Sequence, residues 1–401
     1  MKKVYVVAAK RTATGSMLGS LKTIDATDFG AEVVKALLSA TKVAGTDVSE
    51  VIVGNVLSAG LGQGPGRQVS IKAGIPVEVP AYSINMLCGS GMKSVLTGYT
   101  AIRDGFDEIV IAGGIESMTR APHLVPSAVR GGIKMGDVKL TDHMIYDALT
   151  DAYSQVHMGV TAENIAVKFA LSRQEQDQFA YASQVKAIKA VDAGLFDDEI
   201  VPITIKDRKG DIVFNRDEYP NRTTNLDKLA ALRPAFVKDG SVTAGNSSGI
   251  NDGAAFLMLM SEEAVTKHHL KPLAEIVGIG QGGVDPQYMG LGPVAAIRDV
   301  MKRSGYKLKD MDVIELNEAF AAQSLGVLKS LAEEHDIGFD ELLAKTNLQG
   351  GAIALGHPVG ASGARISVTL LHIMQRHDFK LGLASLCIGG GMGTAVIFKK
   401  I

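Results

Sequence analysis

Short runs of consecutive apolar residues, too brief for helices and separated by segments of helical period, recur at both ends of the chain. Val4–Ala9, Val51-Ile52-Val53 and Ile109–Ala112 are rich in β-branched residues and bounded by charge or glycine. A strand apolar on successive residues buries both faces, the usual condition of a parallel sheet covered by helices on each side. Between these runs Met92, Val95, Leu96, Tyr99 and Ile102 recur at helical spacing until Gly105, and Thr27–Ser39 does the same through Phe29, Val33, Val34, Leu37 and Leu38. The later chain repeats the theme with Leu273–Val277, Val313–Leu316, Ala352–Leu355 and Leu381–Cys387. The alternation predicts an α/β protein with mainly parallel sheets.

The two ends are related. Ser90-Gly91-Met92-Lys93-Ser94-Val95 resembles Ser362-Gly363-Ala364-Arg365-Ile366-Ser367. Each copy follows a strand candidate and precedes a helix, a second strand and a glycine cluster, Gly113-Gly114 or Gly389-Gly390-Gly391. That shared order predicts a duplicated fold. The middle, about 120–248, differs, with Met- and Gly-rich stretches, a charged amphipathic helix near Ser172–Ala193 and a polar segment at Lys206–Lys228. It reads as a loop-rich insertion of the kind that carries substrate contacts.

A length of 401 residues fits two or three domains with sizeable cores, at roughly 150 residues each. With 41 Lys+Arg against 43 Asp+Glu, the chain lacks the basic excess of a nucleic-acid or membrane-surface protein. No stretch approaches the ~18–20 apolar residues of a membrane span, and Val4–Ala9, flanked by Lys2-Lys3 and Lys10-Arg11, is too short for a signal-peptide core. Only 2 Cys are present, too few for a disulfide framework. The expectation is a soluble cytoplasmic protein whose two thiols are worth locating.

The first lies in Asn85-Met86-Leu87-Cys88-Gly89-Ser90-Gly91, where an apolar run gives way to an amphipathic helix. At such a turn the helix dipole and free N–H groups lower a thiol's pKa below its usual ~8.5, which suits a nucleophile. A small apolar Cys packed in the core is the alternative. The second opens Cys387-Ile388-Gly389-Gly390-Gly391-Met392-Gly393, again at the end of a strand candidate. Its glycine turn either presents backbone N–H groups to an anion or is a purely structural turn. It lacks the Lys-Ser/Thr of a P-loop. In Gly356-His357-Pro358-Val359-Gly360-Ala361-Ser362-Gly363 the His sits in a Gly/Pro turn, off any helix face, where it can act as a general base. Asn317, after Val313–Leu316, is placed either to meet a ligand at a strand end or to cap a helix. No metal-ligand spacing competes: there is no His-Glu-x-x-His, and His268-His269 read as surface.

Asn85–Gly91, Asn317–Ala321, Gly356–Gly363 and Cys387–Gly393, in that order and spacing, resemble the four signatures of the thiolases over essentially the whole chain. The resemblance implies two βαβαβαββ halves in a five-layered αβαβα sandwich. Residues 1–120 with 249–271 would form the N-terminal half, 121–248 an inserted loop domain for coenzyme A and oligomer contacts, and 272–401 the C-terminal half. It implies a homotetramer, a dimer of dimers, without metal or redox cofactor and without nucleic-acid or membrane partners. Cys88 would be the nucleophile, His357 its base, Cys387 the base for carbon–carbon chemistry, Asn317 the holder of a water, and Gly389 an oxyanion donor. Tyr153–Gly159 resembles the loop of the short-chain biosynthetic branch, with His157 and Met158 lining an acetyl or acetoacetyl pocket. Val242–Asp252 matches a pantetheine-contacting segment, with Ala244 and Ser248 at the contacts. Leu149, Phe236, Met289, Ala319 and Phe320 would complete the pocket, and Arg222 and Lys228 would meet the phosphates. The implied activity is the reversible Claisen condensation of two acetyl-CoA to acetoacetyl-CoA and CoA. A longer-chain degradative 3-ketoacyl-CoA thiolase is the alternative, against which His157-Met158 speaks. A ketoacyl synthase, on the same fold, would lack Cys387. Two departures stand out: Met86 replaces a common Gln, and Ala332–Thr346 is longer than in many relatives.

Overall fold

In a computed structural model, which describes residues 2–401, nine principal strands and ten of the twelve α-helices frame the site. The first half contains β1 (Val4–Thr12), α1 (Ala26–Thr41), β2 (Glu50–Gly54), α2 (Pro65–Lys72), β3 (Ala81–Ile84), α3 (Ser90–Arg103) and β4 (Ile109–Ser117). The insertion carries α4 (Met158–Lys168) and α5 (Arg173–Asp192), and β5 (Asn251–Ser261) returns to the first sheet. The second half contains β6 (Ala274–Gly283), α6 (Gly292–Ser304), β7 (Val313–Leu316), α7 (Ala321–His335), α8 (Phe339–Ala344), α9 (Ala352–Leu355), α10 (Ser362–His377), β8 (Leu381–Ile388) and β9 (Met392–Lys400).

The strand order is β7-β8-β9-β6-β1-β5-β4-β2-β3. Within the sheet the halves join where Tyr5 and Val6 of β1 meet Glu275 and Ala274 of β6. Three main cores hold the five layers together, the middle one packing against both sheets. Phe29, Val33 and Leu37 of α1 pack on Ile111, Phe256 and Met258 outside the first sheet. Val95, Leu96 and Ile102 of α3 and Ile366, Leu370 and Ile373 of α10 fill the space between the sheets, against Val110 and Leu257 on one side and Leu386 and Phe398 on the other. Ile297 and Val300 of α6 and Val327 and Leu328 of α7 cover the second sheet outside Leu383 and Ile397. Helix α5 begins where the Ser172 hydroxyl caps the Glu175 N–H and the Glu175 carboxylate returns to the Ser172 N–H.

Two readings change. The sheet is mixed: β2 runs parallel to β3 and β4, and β7 to β8, but β1–β5, β5–β4, β6–β9 and β8–β9 are antiparallel. In β5, Phe256 and Met258 face one core and Leu257 and Leu259 the other. Burial on both faces therefore reports helices on both sides, whatever the strand direction. Ala352–Leu355 is a turn of helix rather than a strand. Four apolar residues carry no period to tell the two apart.

The repeated Ser-Gly pairs meet in space. A Cβ on Gly91 would lie 2.9 Å from the Gly360 carbonyl oxygen and 3.0 Å from the Ala364 nitrogen, and one on Gly363 would lie 2.6 Å from Met92. The first turns of the two central helices thus touch through their backbones. Gly363→Val is expected to cost ~1–3 kcal/mol by forcing them apart; an unchanged urea midpoint would show that the helices do not meet there.

Candidate active site

Each central helix is entered by a turn that carries chemistry. Before α3, Leu87 takes the left-handed conformation (φ 49) and the Ser90 hydroxyl accepts the Met86 N–H at 2.9 Å while donating to the Leu87 carbonyl at 2.6 Å. This closed turn lifts Cys88 to the helix entrance, partly exposed. Gly89 lets the other half approach, since a Cβ there would sit 2.3 Å from Ile388. The backbone N–H groups of Gly389 and of Cys88 itself act on the Cys88 sulfur to lower its pKa. Burial outweighs these donors and pushes the thiol up to about 11. That runs against the expectation of a lowered pKa: enclosure of the sulfur, with the Glu116 carboxylate nearby, outweighs its backbone donors.

Before α10, Gly356 (φ 94) opens the turn, and a Cβ on it would strike the Asn251 side chain at 2.5 Å. Asn251 Oδ1 accepts the His357 N–H at 2.9 Å. The imidazole Nδ1 lies 2.5 Å from the Ser362 hydroxyl, whose own proton goes to the Pro358 carbonyl at 2.8 Å. With that proton committed, the hydroxyl oxygen must accept from Nδ1–H. The neutral tautomer is thereby set, leaving Nε2 as a lone pair, and Nε2 is buried without a protein partner. Burial, aided by the Arg365 guanidinium, lowers the ring to about 3. Glu116 clamps this turn to the first half. Its carboxylate accepts the N–H groups of Gly360 at 2.9 Å and of Val56 and Leu57 at 3.1 Å each, and burial raises it to about 7.

Cys387, 1% exposed at the end of β8, packs with Met158, Met289, Ala319 and Phe320. Burial, with the nearby Cys88, raises its thiol far above the ordinary range. Cys88, Cys387 and His357 share one cavity of about 480 Å³. Leu149, His157, Met158, Phe236, Met289, Ala319 and Phe320 line it, as do Ala244 and Ser248. His157 Nδ1 caps α4 by accepting the Gly159 N–H at 3.0 Å, so in the neutral ring Nε2 carries the proton; burial lowers the ring's pKa. Phe236 stacks on His157 at 4.7 Å and meets Phe320 edge-on at 6.0 Å.

Three sequence candidates stand apart. Asn317 is fully buried with neither Oδ1 nor Nδ2 bonded to protein, and it does not line the cavity. Arg222 and Lys228 line an adjoining depression that shares Ser16, Tyr219 and Ala244 with the cavity. There Arg222 grips both Asp192 oxygens at 2.7 and 3.0 Å, and Lys228 donates to the Thr223 carbonyl at 2.6 Å. A phosphate would have to compete with those bonds. Sequence reasoning missed Met17, Met118 and Tyr219 of the wall, which come from loops without period, and Glu116 beneath it; Ser247, Asn251 and Ser362 fall inside the motifs it quoted but received no role there. Among the described residues no cluster of three or more His, Cys, Asp or Glu stands ready to hold a metal ion, and no helix is long and apolar enough to cross a membrane.

The family models for the thiolase N-terminal and C-terminal domains match residues 4–263 and 270–400. The chain is 53% identical over 399 residues to an acetyl-CoA acetyltransferase of Chromobacterium violaceum, covering 99% of this chain and 100% of the relative. The structure of acetyl-CoA acetyltransferase from Syntrophomonas wolfei superposes with a TM-score of 0.97 at 42% identity, covering both chains completely. That of human mitochondrial 3-ketoacyl-CoA thiolase gives 0.94 at 47% identity over 100% of this chain and 99% of its own.

Two outcomes follow from the resting geometry. Alkylation of Cys88 by iodoacetamide should rise about ten-fold per pH unit from 7 to 10, because only the thiolate reacts and its folded pKa lies above that window. A plateau near neutrality would show a preformed thiolate–imidazolium pair instead. Ser362→Ala, which frees the imidazole to take the other tautomer, should slow acetylation of Cys88 by about 10–100-fold, part of the range a general base supplies; an unchanged rate would mean the hydroxyl does not fix the ring.

Proposed function

The chain belongs to the thiolase family, and from that premise we infer that it is an acetyl-CoA C-acetyltransferase, condensing two acetyl-CoA to acetoacetyl-CoA and CoA through an acetyl group on Cys88. The observation that carries this reading is two unpaired thiols and an unprotonated imidazole nitrogen at one cavity.

His357 Nε2 takes the Cys88 proton as the sulfur attacks the thioester carbon. The carbonyl oxygen gathers charge against the N–H groups of Cys88 and Gly389; losing one such donor costs ~10²–10³-fold in rate. The C–S bond of the substrate breaks, CoA leaves with the proton held by His357, and acetyl stays on Cys88. With the second acetyl-CoA in place, the Cys387 proton moves to His357 Nε2, which makes a thiolate base and an imidazolium donor together. The thiolate removes an α-proton while the imidazolium and a water on Asn317 hold the enolate oxygen. The enolate carbon attacks the acetyl carbonyl, Cys88 departs and recovers the α-proton from Cys387, and Cys387 recovers its own from His357. Every proton returns, and side chains, backbone and the two thioesters balance each step.

His157 stacked on Phe236 lines the cavity together with Met158, Met289 and Phe320, and these bulky side chains support the short-chain assignment. The 47% identity to the human 3-ketoacyl-CoA thiolase favours a second reading, thiolysis of longer chains. The exposed apolar side chains Val125, Ile133, Met135, Val138 and Leu140 on the insertion support a homotetramer, a dimer of dimers. Two free thiols that must stay reduced support a cytoplasmic setting.

Incubation with acetyl-CoA should add one acetyl group to the Cys88 peptide; an unmodified peptide would sink the nucleophile. Cys387→Ala should still acetylate yet condense at least ~10²-fold more slowly, as expected for loss of a general base. Loss of acetylation as well would mean the two thiols are misassigned. In thiolysis, acetoacetyl-CoA should outrun a long-chain 3-ketoacyl-CoA, and the reverse preference would establish the second reading.

A further inference from the structure

The stretch Ala332–Thr346, unexplained by the reaction, leads to a residue that touches the Asn317 loop from behind. In the first half β3 lies alongside β2 as a full parallel partner. In the second half that place holds only a bridge from Thr346 to Ile314, with the Ile314 N–H donating to the Lys345 carbonyl and the Asn347 N–H to the Ile314 carbonyl, each at 2.9 Å. The ladder is then continued by a side chain. Asn347 Oδ1 accepts the Leu316 N–H at 2.8 Å, and Nδ2 donates to the Leu316 carbonyl and to Glu318 Oε1, both at 2.8 Å. A reversed amide would set N–H against N–H, so the bonds fix its orientation. Asn347 adopts the left-handed conformation (φ 49), which Asn tolerates better than most residues.

Glu318 is held from its other side. Its Oε2 accepts the Ser183 hydroxyl at 2.6 Å and the Ile353 N–H at 3.3 Å, and a Cβ on Gly351 would lie 2.2 Å from its carboxyl carbon. Both chain neighbours of Asn317 are therefore pinned, one through its backbone and one through its side chain, by a single buried amide. Asn317's own amide has no protein partner to orient it.

We propose that Asn347 is the positioning residue for Asn317, aiming its amide at the water that faces the enolate oxygen. The proposal rests on the role given to Asn317 above. Acetylation of Cys88 uses other donors, so the clasp acts on the second half-reaction only.

The test uses the full chain with Asn347→Leu, Ser183→Ala and Asn317→Ala. Cys88 acetylation by acetyl-CoA is measured separately from condensation and from enzyme-catalysed deuterium exchange into the methyl group of acetyl-CoA. Asn347→Leu should acetylate within about two-fold of the unaltered enzyme while exchange and condensation both fall ~10–100-fold, the scale of a small misplacement at a reacting centre. KM for acetyl-CoA should change little. Ser183→Ala, which removes one bond to Glu318 and one from the Gly351 N–H beside it, should show the same selective loss at about two- to five-fold, and it decides the matter should Asn347→Leu not fold. Equal losses in both half-reactions, or none, would overturn the proposal and mark the clasp as purely structural. A defective Asn317→Ala beside unaffected Asn347 and Ser183 variants would overturn the proposal alone; an Asn317→Ala enzyme that exchanges normally would overturn the role of Asn317 and the proposal with it.

Discussion

The backbone contact between the first turns of α3 and α10 determines what the rest of the molecule can do. Helices that meet through side chains lie 8–10 Å apart. Here Gly91 and Gly363 remove the intervening Cβ atoms, so the two turns that precede these helices are drawn together. One turn presents Cys88 and the other His357. The same approach seats Gly360 against Glu116, which accepts its N–H, and brings Ile388 over Gly89. Gly389, next in the chain, is thereby carried to the Cys88 sulfur. The duplicated Ser-Gly pair is thus the packing element that makes one site from two halves.

That closeness sets the electrostatics. Both thiols and the imidazole are driven toward their uncharged forms, chiefly by burial. Separating charge within such a site is costly until substrate supplies a partner for it, since little solvent reaches it to stabilise an ion. The backbone donors at Cys88 and Gly389 are laid out beforehand and need no reorganisation when charge develops. A site that rests neutral is also consistent with a net charge of only −2 for the whole chain, since nothing in it depends on a broad field.

The sequence made most of this legible where a period or a special residue marks the position. Helices α1, α3 and α5 show their apolar stripe or cap, and the turns with Cys88, His357 and Cys387 betray themselves by glycine. Direction of the strands was not legible, because a helix layer on each side of β5 buries both faces as it would for a parallel strand. The two glycine clusters looked alike yet differ: Gly113 and Gly114 lie within β4, where a Cβ would strike a neighbouring carbonyl at 2.1 Å, whereas Gly390 and Gly391 take positive φ in a turn. Glu116 and Asn347 left no trace in sequence for another reason. Each works by bonding to backbone or to one partner brought close only by folding, and a lone buried polar residue has no period.

The halves are related in order but no longer in detail, and the differences fall where the chemistry is divided. The strand that in the first half leads directly to the Cys88 turn is β3, whereas its counterpart has shrunk to Thr346 and the Asn347 amide. Replacing backbone ladder bonds with one side chain keeps β7 and the loop after it satisfied while freeing the intervening chain, Gln349 to Leu355, to fold into the turn that encloses Glu318. A full strand would occupy that space and would hold Asn317 only through backbone, with no contact to the residue after it. The asymmetry therefore gives the second half something a copy of the first could not supply: a buried amide that holds the residues on both sides of Asn317. In this reading the first half keeps the regular strand-to-helix turn that a nucleophile needs, and the second trades regularity for control over where one unpaired amide points.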